Sequence, residues 1–157
     1  MTAEQIFKKE GIYFGEATID GVPCTIGYIK KFRWRWIASQ LNIFIIVGKT
    51  DDVISRNTIE AFSNSGFQYA LNNSKGWPRG VQSAICSIAI LEGVNINDDA
   101  ISFCEKFSKK HWSAFEIPVV YDGIQKKGYK IKSTPIWGII FFSYLLKEVD
   151  RIVAKLS

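Results

Sequence analysis

The sequence predicts an α+β protein: a single mixed, largely antiparallel sheet of about six strands with covering helices, in the order α-βββ-α-β-α-ββ-α. Three observations carry that prediction. Asp20-Gly21 stands between two runs of β-formers, the signature of a two-residue hairpin turn. The run Ile43-Phe-Ile-Ile-Val47 is apolar at every position, as a strand covered on both faces requires. Beyond Pro135, residues 137–156 form a long amphipathic pattern that fits a final helix.

The elements follow in order. Thr2-Ala-Glu-Gln5 has the form of a capping box, so a short helix runs to about Lys9, where Gly11 ends it. Residues 12–19 are rich in Ile, Tyr, Phe and Thr and read as the first strand; residues 22–36 read as the second. Within the second, Lys31, Arg33 and Arg35 alternate with Phe32, Trp34 and Trp36, giving one cationic face and one aromatic face. The simplest packing sends the aromatics into the core and leaves the cations solvated. After the third strand, Thr50-Asp51-Asp52 supplies a helix cap and an acidic first turn for a helix over residues 52–64, with Gly66 as its end or break. Residues 67–71 add a further turn or two.

A loop over residues 72–80 leads to residues 81–91, whose spacing fits either a helix or a buried strand. The β-branched run Ile85-Cys-Ser-Ile-Ala-Ile90 and the helix that follows favour the strand. That helix starts from an Asn97 cap. Residues 115–121 and 129–132 then form a strand and its hairpin partner.

Composition sets the outer limits. The chain has 157 residues, 47% of them hydrophobic and 22% charged, which suits one globular domain over residues 1–157 and excludes a disordered chain. The net charge of +5 favours phosphates or anionic surfaces, but basic residues are spread evenly along the chain and mark no site. Cys24, Cys86 and Cys104 are odd in number and widely spaced, so they predict neither a disulfide framework nor a metal site. The longest apolar run, residues 136–146, is about half of what a bilayer span needs. The reading is a cytoplasmic protein with reduced thiols, no membrane segment and no cofactor.

Several motifs fail on inspection. Gly48-Lys49-Thr50 follows a strand, as in a phosphate-binding loop, but Ile43 stands where that loop needs its first Gly. Asn95-Ile-Asn97-Asp98-Asp99 has Ala100 and Lys106 where a calcium loop needs Gly and Glu. The opening α-βββ-α-β order resembles the core topology of the restriction-endonuclease-like nucleases, over about the first 90 residues and in element order only. That resemblance implies an Asp near the second strand and a Glu/Asp-x-Lys on the third, holding a divalent metal that activates water. Asp20 could fill the first role, but the third strand has no acid, which puts an intact site in doubt and leaves a decayed relative as an alternative.

Three features stand out from the background. The first is the cationic set Lys31, Arg33 and Arg35, which with the interleaved aromatics would serve a nucleic-acid-binding protein. The second is Gly76-Trp77-Pro78-Arg79-Gly80, a shaped turn that could hold a small anionic ligand against Arg79 with Trp77 as an apolar wall. The third is Glu116, a carboxylate inside an apolar strand, for which pairing with a Lys or Arg is expected. Pro118 in that strand implies an edge or a bulge. His111, the only histidine, sits with Trp112 at a helix-to-strand connection and reads as part of a solvated helix end. The ligand-binding candidates are therefore Trp77, Arg79, His111, Trp112 and Glu116, with no catalytic and no metal-ligating residue assigned. The function expected is a binding or protein-interaction domain, with a homodimer among the partners its aromatic content allows. The alternatives are nucleic-acid binding and a small hydrolase using Glu116 or Asp122 as base.

Overall fold

The computed structural model describes residues 1–33, 39–74, 83–107, 109, 111, 114–133 and 139–157. Ten elements follow in the order predicted: α1 (Ala3–Lys9), β1 (Tyr13–Ile19), β2 (Val22–Arg33), β3 (Ser39–Lys49), α2 (Arg56–Asn73), β4 (Ser83–Gly93), α3 (Asp98–Lys106), β5 (Ala114–Asp122), β6 (Lys127–Tyr129) and α4 (Ile139–Leu156). The strands form one six-stranded mixed sheet in sequence order, β1 through β6. Pairings β1–β2, β2–β3 and β5–β6 are antiparallel; β3–β4 and β4–β5 are parallel, each joined through a helix.

Local sequence explains the ends of the elements. The Thr2 hydroxyl accepts from the Gln5 backbone N–H and the Gln5 side chain accepts from that of Thr2, the reciprocal capping box of α1. Asp20 and Gly21 both have positive φ, at 50° and 77°, which a primed hairpin turn demands. Residues 83–93 form a strand, buried at every position but Glu92.

Alternation along the strands builds two cores. On one face, odd positions of β3 and β5 and even positions of β4 meet Ile6 and Phe7 of α1 and Phe142, Leu145, Val149 and Ile152 of α4. On the other, Cys24, Ile26, Phe44, Ile46, Ile85, Ala89, Leu91 and Val120 meet Ile59, Phe62 and Ala70 of α2 and Ala100 and Cys104 of α3. Glu10 ties the first face together by pairing with Arg151 and Lys155 of α4. Among the described residues, no helix is long and apolar enough to cross a membrane.

The structure departs from expectation in four places. The Thr50 hydroxyl accepts from Asp52 N–H at 3.1 Å in a turn, and α2 starts later, with Ser55 as its cap. The cause is the backbone of Ile54, which bonds both Asn95 and Asn97 and so cannot yet be helical. Gly66 does not break α2. It is buried where the helix crosses the sheet, and a Cβ there would lie 3.0 Å from Ile46 Cδ1. The β6 strand comes earlier, at Lys127–Tyr129, because Asp122 Oδ1 accepts from Ile124 and Gln125 N–H and tightens the preceding turn.

Pro118 makes no bulge, since β5 keeps unbroken register with β4 from Ile85↔Ala114 to Gly93↔Asp122. It lies outside the three residues that pair with β6, so β5 is an open edge there among the described residues. The last departure concerns Phe32, which is 41% exposed and not in the core. Its neighbour Arg33 lies 4.8 Å from the ring of Tyr144 on α4. The alternation is real, but α4 covers the cationic side at this point.

Candidate functional site

Glu116 sits at an even position of β5 and therefore points to the face that carries α2. It is 5% exposed. Ser63, one turn before Gly66 on α2, donates from its hydroxyl to Glu116 Oε1 at 2.9 Å. His111 Nε2 lies 2.9 Å from the other oxygen, Oε2. Phe67, one turn beyond Ser63, stacks on the His111 ring with centroids 4.1 Å apart. The backbone of His111 bridges Ala114, which fixes the ring beside the start of β5.

The two residues that sequence reasoning placed here, His111 and Glu116, do meet. Among the described residues the partners of Glu116 are Ser63 and His111, where a Lys or Arg was expected. His111 is accordingly not a solvated helix end: its side chain is 18% exposed and packed. Trp77, Arg79 and Trp112 lie outside the described residues. Ser63 and Phe67 carry only a weak signal in the sequence, a polar and an aromatic residue four apart on one face of a helix.

The polar strip continues along the sheet. Ser87 stands beside Glu116 in the β4–β5 register, and its buried hydroxyl has no hydrogen-bond partner among the described residues. Further along, Tyr28 donates to Asn42 Oδ1 at 2.6 Å, and Asn42 Nδ2 reaches Ala84 O at 3.4 Å.

The order of groups decides what this cluster can do. Nucleophilic catalysis by a hydroxyl needs the imidazole between the hydroxyl and the carboxylate, so that the ring takes the proton. Here the carboxylate stands between the hydroxyl and the ring, and Ser63 is fully buried. The arrangement locks α2 to β5 and to the connection before it. Asp122, the second carboxylate considered as a base, spends its Oδ1 on two turn N–H groups.

The thiols are poor nucleophiles as well. Burial pushes Cys24 and Cys104 up to about 12 and raises Cys86 further. Among the described residues no group of three His, Cys, Asp or Glu is placed to hold a metal. The nuclease-like set is also not assembled: Asp20 lies exposed in the β1–β2 turn, β3 carries no acid, and Lys49 at its end pairs with Glu92 at 3.1 Å.

A different surface emerges beside β1. The β1–β2 register shifts between Tyr13 and Gly15, so Phe14 is the extra residue of a bulge. The bulge turns Phe14 to the α2 side of the sheet, where its ring lies 5.9 Å from Tyr28 and 5.5 Å from Phe44. The Tyr28 and Phe44 rings meet at a tilt with centroids 4.8 Å apart, and Tyr69 of α2 meets Phe44 edge-on at 6.2 Å. Phe14 remains 41% exposed, as does Phe32, on the same side of β2 as Tyr28. Lys30 stands between them on that side, also exposed. Of the cationic set, Lys31 and Arg33 take the opposite face, and Arg35 lies outside the described residues. Comparison with protein-family models, with curated proteins and with solved structures finds no match to this chain.

Proposed function

We propose that this chain is a non-catalytic binding domain whose contact surface is the aromatic patch of Phe14, Tyr28 and Phe32 at the β1 end of the sheet, and that the partner it fits is a second copy of itself. The observation that carries the reading is the bulge at Phe14. It turns a large apolar ring to the α2 side of the sheet and leaves it 41% exposed. Exposed aromatic clusters of this kind mark interaction surfaces, where their burial supplies most of the affinity. Strand β1 is also an edge of the sheet, with no further strand paired to it among the described residues. Pairing of two copies about Ala17 sets Glu16 opposite Thr18, so no like charges meet.

Sedimentation velocity over a concentration series tests this. The wild-type chain dimerises, and Phe14→Ser with Phe32→Ser shifts the equilibrium to monomer while far-UV circular dichroism is unchanged. A wild-type chain that stays monomeric at every concentration, with no co-purifying ligand by native mass spectrometry, overturns it.

One observation favours a second reading, single-stranded nucleic acid. Lys30 stands between Tyr28 and Phe32 on the aromatic side of β2, the mixture that stacks bases and neutralises phosphates. Binding of oligonucleotides that weakens steeply with salt supports it; no binding at low salt removes it.

A further inference from the structure

We propose that the groove between α2 and α3 binds a small molecule made of a planar ring bearing an anionic group. This site is separate from the aromatic patch and does not depend on it. The groove is open to solvent, has a volume of about 540 Å³ and is lined by Arg56 and Glu60 of α2, Asp99, Ser102, Phe103 and Lys106 of α3, and Phe107 and Lys109 beyond it. That volume lies within the range of small-molecule sites.

Helical spacing places Phe103 and Phe107 one turn apart, and their rings meet edge to face at 5.3 Å, forming an apolar wall. The Arg56 guanidinium lies over the Phe103 ring at 5.6 Å, so a flat cation and a flat ring already border the same space.

The charges in the groove are unevenly committed. Asp99 Oδ1 accepts from the Arg56 backbone N–H at 3.2 Å, and Glu60 Oε2 stands 3.8 Å from Arg56 Nε. Both carboxylates are thus engaged at the Arg56 end. Lys106 and Lys109, both exposed, have no acidic partner among the described residues. An anionic group placed at these two ammonium groups, with its ring against Phe103 and Phe107, satisfies the charge and covers the apolar wall together.

The test titrates the full chain with phenyl phosphate, benzoate, inorganic phosphate and benzyl alcohol, following backbone amide shifts by NMR. Phenyl phosphate or benzoate moves the amides of residues 102–107 and 109 and binds at least about tenfold tighter than inorganic phosphate or benzyl alcohol. The tighter of the two ring compounds tells whether the anion is a phosphate or a carboxylate. Lys106→Glu with Lys109→Glu weakens that binding by about tenfold or more, whereas Lys147→Glu, a Lys→Glu change at an exposed position of α4, leaves it unchanged. Shifts scattered over other surfaces, equal affinity for inorganic phosphate, or unaltered binding by the Lys106/Lys109 variant each overturn the proposal.

Discussion

Replacing Glu116 with alanine removes the centre of the buried polar cluster and leaves two groups without their partner. The Ser63 hydroxyl is fully buried and loses its acceptor at 2.9 Å; His111 Nε2 loses its partner at the same distance. A buried polar group so orphaned costs about 1–3 kcal/mol, with His111 at the low end because its ring is partly reached by water. Deleting the side chain also leaves a cavity against α2, adding about 1 kcal/mol. The expected loss is about 3–5 kcal/mol, a large part of the stability of a domain this size.

Glutamine behaves differently, because its amide keeps the shape, accepts from Ser63 and, with the His111 ring in its Nδ1–H tautomer, donates to His111 Nε2. Its cost should be near 1 kcal/mol. Urea unfolding followed by circular dichroism measures both, at unchanged m-value. If alanine costs no more than about 1 kcal/mol, or glutamine costs as much as alanine, the cluster is not the closed structural network argued for.

The remaining predictions concern packing, caps and pH. Gly48→Ala should cost about 1–3 kcal/mol in the same assay, because the added Cβ falls 2.8 Å from Cys24 Sγ and 2.9 Å from Val22 Cγ1, within a closed face. Thr2→Ala removes the capping box of α1 and should cost about 1 kcal/mol, read as a lower midpoint in urea. The contribution of the buried thiols to stability is full below about pH 9 and is lost as pH rises toward 12. The thiols of Cys24 and Cys104 stay protonated in the native state up to about 12 but ionise near 9.0 once unfolded. Thermal midpoints taken between pH 8 and pH 11 check this, and a flat profile contradicts it. All three cysteines should resist a thiol reagent in the native protein and react on unfolding, since each is buried and free.

How far the fold could be read in advance follows from where each signal resides. Element order came from local cues: the Asp20-Gly21 turn, the Thr2 box and the apolar run of β3. The boundary at α2 was misplaced because Ser55 wins the cap over Thr50 through a long-range constraint, the pairing of Ile54 with Asn95 and Asn97. Glu116 was legible as a buried carboxylate from its apolar neighbours. Its partners were not, because Ser63 lies 53 residues earlier and reaches it only through the rotation of α2 over the sheet.

The patch was hidden for a related reason. Alternation from Ile19 back along β1 assigns Phe14 to the α1 side, and one extra residue at the bulge reverses that assignment. Phe32 was assigned to the core because period two tells which residues share a face. It does not tell which face a later helix covers, and α4 lies on the side of Arg33.

Hydrogen–deuterium exchange of β1 at low and high protein concentration addresses the central proposal most directly. Burial of the Phe14 patch and pairing of the open edge should slow exchange in residues 13–19 as concentration rises, with Glu116 and its neighbours equally protected throughout. Exchange in β1 that is fast and independent of concentration would contradict the account, because the surface offered for a second copy would then remain uncovered.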